Sequence, residues 1–173
     1  MGSNVWLSAV ETYLKMKTEI LRTNSGNQDF VILIQQLDAY LKITDGNEHA
    51  FYNQFNNIDV IKNVVVVYAD DKAVGCGAIK KFDIETSSAQ GKNAMEVKRM
   101  FVSSEHRNQG FAQKVLQELE IWAKELGYKN CVLETGKRQL EAVKFYQKCG
   151  YGVISNYGQY KEMENSICFQ KKI

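Results

Sequence analysis

The sequence predicts an α/β fold built on a sheet of mixed strand direction. Two stretches carry this expectation. NVVVVYADDKAVGCGAIKKF, Asn63–Phe82, reads as two β-branched strands joined near Asp70 and Asp71, which makes a hairpin and an antiparallel pair. AMEVKRMFV (Ala94–Val102), an apolar helical stripe ending at Gly127, and YKNCVLET from Tyr128 form a strand–helix–strand unit, whose crossover implies a parallel pair.

The remaining elements follow in chain order. Trp6, Val10, Tyr13, Leu14, Ile20 and Leu21 recur at roughly helical spacing, which predicts a helix over Trp6–Arg22. TNSGNQ, Thr23–Gln28, is a polar break, and DFVILI from Asp29 is a short β-branched run that reads as a strand. Leu37, Tyr40 and Leu41, then Phe51, Tyr52 and Phe55, predict one or two helices interrupted at Thr44–Asn47. Thr86–Asn93 reads as a surface loop. Gln139–Gly150 reads as a helix ending at a glycine, with strands near Gly152–Asn156 and Ser166–Gln170. The expected organisation is a helical extension and linker over residues 1–28, then one domain over residues 29–173.

Composition narrows the function. The chain has 173 residues, a formal net charge of +2 and basic residues spread along its length, which gives no footprint for nucleic acid or a membrane surface. No apolar run is long enough to span a bilayer and no secretion signal opens the chain, so a cytoplasmic protein is expected. The four cysteines form no CxxC pair and there are only two histidines, so no metal site is expected. The cysteines read as small core residues in a reducing compartment.

The segment HRNQGFA, His106–Ala112, places a cation and bare backbone before a helix whose apolar face is Phe111, Val115, Leu119, Trp122 and Leu126. The first amides of a helix lack partners within it, and they carry the positive end of the dipole. Arg107 adds a permanent charge, and Gly110 lets backbone approach a ligand. A diphosphate is the natural guest. Taken alone, the hexapeptide reads as well as a tight turn with a solvated arginine.

It is not alone, because QLEAVKFYQKCGY follows from Gln139. Together Arg107-Asn108-Gln109-Gly110-Phe111-Ala112 and Gln139, Ala142, Phe145, Tyr146, Lys148, Gly150 and Tyr151 resemble the two motifs of the GCN5-related N-acetyltransferase (GNAT) superfamily. Ala112 stands where many members have glycine, and Gln139 replaces the usual asparagine. EVKRMFV, LETGKRQLEA and NYGQY are similar to a bacterial branch of unassigned substrate. The resemblance covers roughly Asp29–Ile173 and leaves the N-terminal helix outside. It implies a mostly antiparallel sheet of about six to seven strands, an ordinary size, with flanking helices and with strands four and five parallel and splayed.

The resemblance also implies the chemistry. Acetyl-CoA would be the cosubstrate, with its pyrophosphate at Arg107–Ala112 and further contacts at Gln139 and Lys148. Its pantetheine would lie along Met100, Phe101 and Val102, where a backbone amide polarises the thioester. Tyr146 would protonate the leaving thiolate. Glu96, on one strand face with Lys98 and Met100 by alternation, would be the base, although a strand glutamate paired with Lys98 or Lys80 fits equally well. Glu134 is a second carboxylate that could take that role, bind the amine or cap a helix. Tyr52, Phe55, Tyr157 and Tyr160 would line the acceptor pocket. The acceptor is expected to be a small-molecule or protein amine. The N-terminal helix should pack on the domain or on a second copy, which leaves a homodimer open. The competing readings are a catalytically silent acyl-CoA-binding module and a nucleotide-binding protein. The second is disfavoured because neither standard nucleotide-binding glycine motif is present.

Overall fold

A computed structural model describes residues 16–55, 57–59, 61–82 and 93–173. Seven strands form one sheet: β1 (Thr18–Thr23), β2 (Asn63–Ala69), β3 (Lys72–Lys81), β4 (Ala94–Val102), β5 (Asn130–Gly136), β6 (Gly152–Ile154) and β7 (Ser166–Lys172). Their order across the sheet is β1-β2-β3-β4-β5-β7-β6. Every neighbouring pair is antiparallel except β4 and β5. The helices are α1 (Gln28–Asp45), α2 (His49–Asn53), α3 (Phe111–Glu125) and α4 (Leu140–Lys148). Helix α1 covers one face of the sheet, and α3 and α4 cover the other.

Double coverage explains β2. Val64 to Val67 are fully buried, alternating between the two cores, so a continuous valine run belongs to a central strand rather than to one half-solvated face. The β2–β3 turn is tight, with both Asp70 and Asp71 at positive φ (47° and 65°), as the most compact hairpin turns require.

Two sequence expectations are corrected here. The run from Asp29 is not a strand but the first turns of α1. The Asn27 side chain caps Phe30 N at 2.9 Å, and Phe30, Leu33, Ile34 and Leu37 bury one helical stripe. The β-branched residues that suggested a strand are overridden by that stripe, with Ile32 left half exposed. Leu37, Tyr40 and Leu41 belong to the same long helix. The second correction concerns Thr18–Arg22, expected as the end of a helix. These residues form the edge strand β1, paired with β2 from Thr18–Ala69 to Thr23–Val64, so the sheet begins well before residue 29. Arg22 pins this edge to α3. Its Nε donates to Glu118 at 2.6 Å, its Nη1 pairs with Glu125, and its guanidinium lies 5.0 Å over Trp122. Trp6, Val10, Tyr13 and Leu14 lie outside the described residues, as does most of the loop expected at Thr86–Asn93.

Candidate active site

Strands β4 and β5 pair only from Ala94–Asn130 to Glu96–Val132. Beyond that point β5 stays with β7 and β4 stays with β3, so the sheet opens a wedge. A bulge shapes its β4 wall. Cys76 faces Phe101 and Ala78 faces Lys98, so Arg99 and Met100 together oppose Gly77. Arg99 takes φ +58°, a conformation that costs a non-glycine residue free energy. Gly77 is glycine because a Cβ there would collide with the Met100 sulfur, Val115 and Leu119. The bulge corrects the simple alternation. Glu96 and Lys98 do share a face, but Met100 is turned to the other face, against α3.

On the α3–α4 side lies a groove of about 620 Å³, whose walls include Met100, Phe101, Val102, Phe145 and Lys148. One end is the start of α3, with Arg107, Asn108, Gly110, Phe111 and Ala112 lining it. Gly110 caps the helix at φ +83° and Asn108 precedes it at φ +60°. The first intrahelical bond runs from Lys114 N to Gly110 O at 3.1 Å, so the amides of residues 111–113 face outward. A Cβ on Gly110 would meet no described protein atom within 4 Å, and its φ of +83° suits the left-handed turn that glycine favours. Arg107 is held from two sides. Its Nε donates to the Val102 carbonyl at 3.2 Å, and its guanidinium lies 5.3 Å over the Tyr40 ring. This is a fixed cation beside a row of free amides, and it fits a diphosphate. Gln109 turns away, its Nε2 donating to Glu105 O at 3.1 Å.

On the α1 side a smaller cavity of about 140 Å³ fills the wedge. Its walls bring together Glu96, Lys98, Arg99 and Glu134 with Tyr52 and Tyr160. Tyr146 and Gln139 line both this cavity and the groove, so the two meet at the head of α4. Tyr146 is buried against Phe145, Tyr151 and Phe169, and burial pushes its phenol above the ordinary range. It therefore stays protonated at neutral pH.

The two carboxylates differ. Glu96 is buried and engaged: the Tyr157 hydroxyl donates to its Oε1 at 3.1 Å, and Lys80 Nζ lies 3.5 Å from its Oε2. Glu134 leaves its buried Oε1 without a hydrogen-bond partner among the described residues. Burial pushes its carboxyl up to about 7, against the pull of the Ser166 hydroxyl and the Lys98 charge. Such a group gives and takes protons near neutrality.

The four aromatic candidates separate. Tyr52 and Tyr160 stack at 6.4 Å and line the wedge, and the Tyr52 hydroxyl lies 3.0 Å from Ser166 Oγ. Phe55 packs behind, edge-on to Tyr160 at 6.2 Å. Tyr157 is buried with Phe82, its hydroxyl spent on Glu96. Sequence reasoning missed Lys98 and Arg99 as cavity residues. The bulge that turns Arg99 inward has no glycine on its own strand, only Gly77 on the strand opposite. It also missed Arg138, which ties the turn before α4 to the end of α1 through Asp45 O (3.3 Å) and Glu48 (3.2 Å). Among the described residues, no group of three or more histidine, cysteine, aspartate or glutamate side chains is arranged to hold a metal ion, and no helix is long and apolar enough to cross a membrane.

Comparison with known proteins adds the lineage. A model of the Acetyltransferase (GNAT) family matches residues 32–151. The chain is 30% identical over 162 residues to the "IAA acetyltransferase" of Azospirillum brasilense, a match covering 91% of this chain and 100% of that protein. Its fold superposes with a TM-score of 0.69 on a Klebsiella pneumoniae protein assigned as an acyl-CoA N-acyltransferase, at 24% identity and covering 90% of this chain and 97% of that one. It superposes with a TM-score of 0.65 on the PaiA N-acetyltransferase of Thermoplasma acidophilum in complex with coenzyme A, at 19% identity and covering 91% and 100%. At these identities the two likenesses speak to the fold.

Proposed function

Because this chain belongs to the GNAT acetyltransferase family, we propose that it is an N-acetyltransferase that passes the acetyl group of acetyl-CoA directly to an amine within a ternary complex. The observation that carries this reading is the meeting of two cavities at one tyrosine. The groove ends in a phosphate cradle, the wedge holds a carboxyl that titrates near 7, and Tyr146 stands between them. A substrate in each cavity would bring the thioester and the amine together beside Tyr146, which removes much of the entropic cost of the encounter.

The proposed steps use groups already described. Arg107 and the amides of residues 111–113 hold the pyrophosphate, with Asn108, Gly110, Gln139 and Lys148 along the groove. Glu134 takes a proton from the amine, and Glu96 stands in the same wedge, engaged by Tyr157 and Lys80. The amine nitrogen then bonds to the thioester carbonyl carbon, and a backbone amide of the bulged β4 segment, Met100 to Val102, stabilises the oxyanion. The carbon–sulfur bond breaks, and the Tyr146 hydroxyl supplies the proton that the departing thiolate needs. Tyr52 and Tyr160 wall the acceptor, with Tyr157 and Phe55 supporting them from behind. The activity is tested by a broad amine panel with acetyl-CoA, read as release of free CoA thiol. Amine-dependent release is expected. Tight CoA binding with no release for any amine would make the chain an acyl-CoA-binding module.

A further inference from the structure

The wedge holds buried cationic donors that no acceptor among the described residues answers. Arg99 has a side chain only 2% exposed. Its Nη2 pairs with Asp38 of α1 at 2.7 Å, yet its Nε and Nη1 are buried without partners among the described residues. Lys98 Nζ, beside it on the same strand, is also buried and unpartnered. A buried donor without an acceptor is costly. Burial in fact pulls the Lys98 ammonium below its ordinary range, with Glu96 only partly opposing it. The carboxylates in reach are mostly occupied. Glu96 answers Tyr157 and Lys80, and Asp45 lies 3.5 Å from His49. Glu134 keeps a buried oxygen without a partner among the described residues, and it sits on β5.

Arg99 is also strained. Its backbone holds φ +58° at the bulge, and that conformation turns its guanidinium toward the same face as the Lys98 ammonium. Without the extra residue the two neighbours would point to opposite faces of the sheet. The fold thus accepts a local penalty to bring two cations into one cavity.

We infer that the acceptor is a compact zwitterion, an amine that carries its own carboxylate, with the carboxylate held by Arg99 and Lys98 and the amino group presented to Glu134. This rests on the reading of the wedge as the acceptor site. The cavity's 140 Å³ is roughly five times the share of volume of one water, room for an amine and a carboxylate on a short carbon frame. A lysine side chain offered by a protein would bring no anion for the two cations. A site built to bind a polar group rejects an analogue that lacks it, because its own buried donors are then left unpaired.

The test is a matched panel of free L-amino acids and the carboxamides of the same amino acids, with acetyl-CoA. The amide keeps the size and removes the negative charge; it also makes the amino group less basic, which supplies more free amine and so works against the expected preference. The wild-type protein should favour the free acids in kcat/KM by at least about tenfold, the scale of one hydrogen bond to a charged group. Lys98→Met and Arg99→Gln should each lower that ratio, and the lysine variant keeps the test open if loss of the Asp38 pair unfolds the arginine variant. CoA affinity is measured alongside. A ratio at or below one in the wild type, or a ratio unchanged in the folded variants, overturns the inference. So does a loss of CoA affinity in those variants at an unchanged ratio, which would assign the cations to the cosubstrate. If no amine is acetylated, calorimetry on the CoA-loaded protein decides. Binding of free acids over amides that is lost in Lys98→Met upholds the zwitterion site while removing the transfer reaction, and absence of such binding overturns the site.

Discussion

The Tyr157 hydroxyl donates a hydrogen bond to Glu96 Oε1 at 3.1 Å. With Lys80 on the other oxygen, Glu96 is a satisfied carboxylate, whereas Glu134 keeps a free oxygen in the same cavity. The roles of the two acids can therefore be separated by titration. With its carboxyl pushed up to about 7, Glu134 is mostly protonated below neutrality. The wild-type kcat/KM should rise with pH and level off above about 7. Glu134→Gln should lose that limb and at least about a hundredfold in rate. Glu96→Gln should lower activity while keeping the limb near 7. A pH profile that loses its limb in Glu96→Gln instead would return the base to Glu96.

The same carboxyl makes the fold sensitive to pH in the opposite sense. The folded-state value of about 7 lies above the ordinary value of 4.5, so between these values the native state binds more protons than the unfolded one. Stability therefore falls as pH rises through this window and levels off above about 7. Glu134→Gln removes this contribution. The variant should gain on the wild type between pH 5 and 8 by about 3 kcal/mol at most. Urea melts at several pH values measure it, and a difference that stays flat with pH would mean that Glu134 ionises freely.

Arg107 is anchored by the Val102 carbonyl and the Tyr40 ring, so its remaining donors are presented in a fixed geometry. Arg107→Ala should weaken CoA binding by about 1.5–3 kcal/mol, the scale of a hydrogen bond to a charged group. Isothermal calorimetry checks this, and an unchanged affinity would remove the turn from the site.

Strand β1 supplies six residue pairs to β2, and Arg22 ties it to α3. Deleting residues 1–24 should leave the edge of β2 bare and lower the melting temperature by about 10 °C or more, as a loss of several kcal/mol does in a chain of this size. A truncated protein that melts with the full chain would make the strand dispensable.

What the sequence disclosed follows from range. The Asp70–Asp71 hairpin, the β4–α3–β5 crossover and the Arg107–Ala112 turn are local patterns, and all are present in the structure. The two misread elements are settled at a distance. Val31, Ile32 and Ile34 favour a strand in isolation, but the Asn27 cap and burial against the sheet make a helix. Ile20 and Leu21 continue a helical spacing, but pairing with β2 makes a strand. The bulge at Arg99 has no local signal, and it decides which of Glu96, Lys98 and Met100 share a cavity. Pairing of Glu96 with Tyr157 joins residues on distant parts of the chain, so its engagement could not be read beforehand.

Tyr146→Phe tests the central claim most directly, because it removes only the hydroxyl of a residue that lines both the groove and the wedge. The measurement is the initial rate at which one amine from the panel is acetylated, with CoA and acetylated amine quantified together and CoA affinity determined in parallel. The account predicts one acetylated amine for each CoA released by the wild type. It predicts a kcat lower by roughly a hundredfold in Tyr146→Phe, with CoA binding unchanged. Equal rates for the two proteins, or CoA released without an acetylated amine, would contradict it.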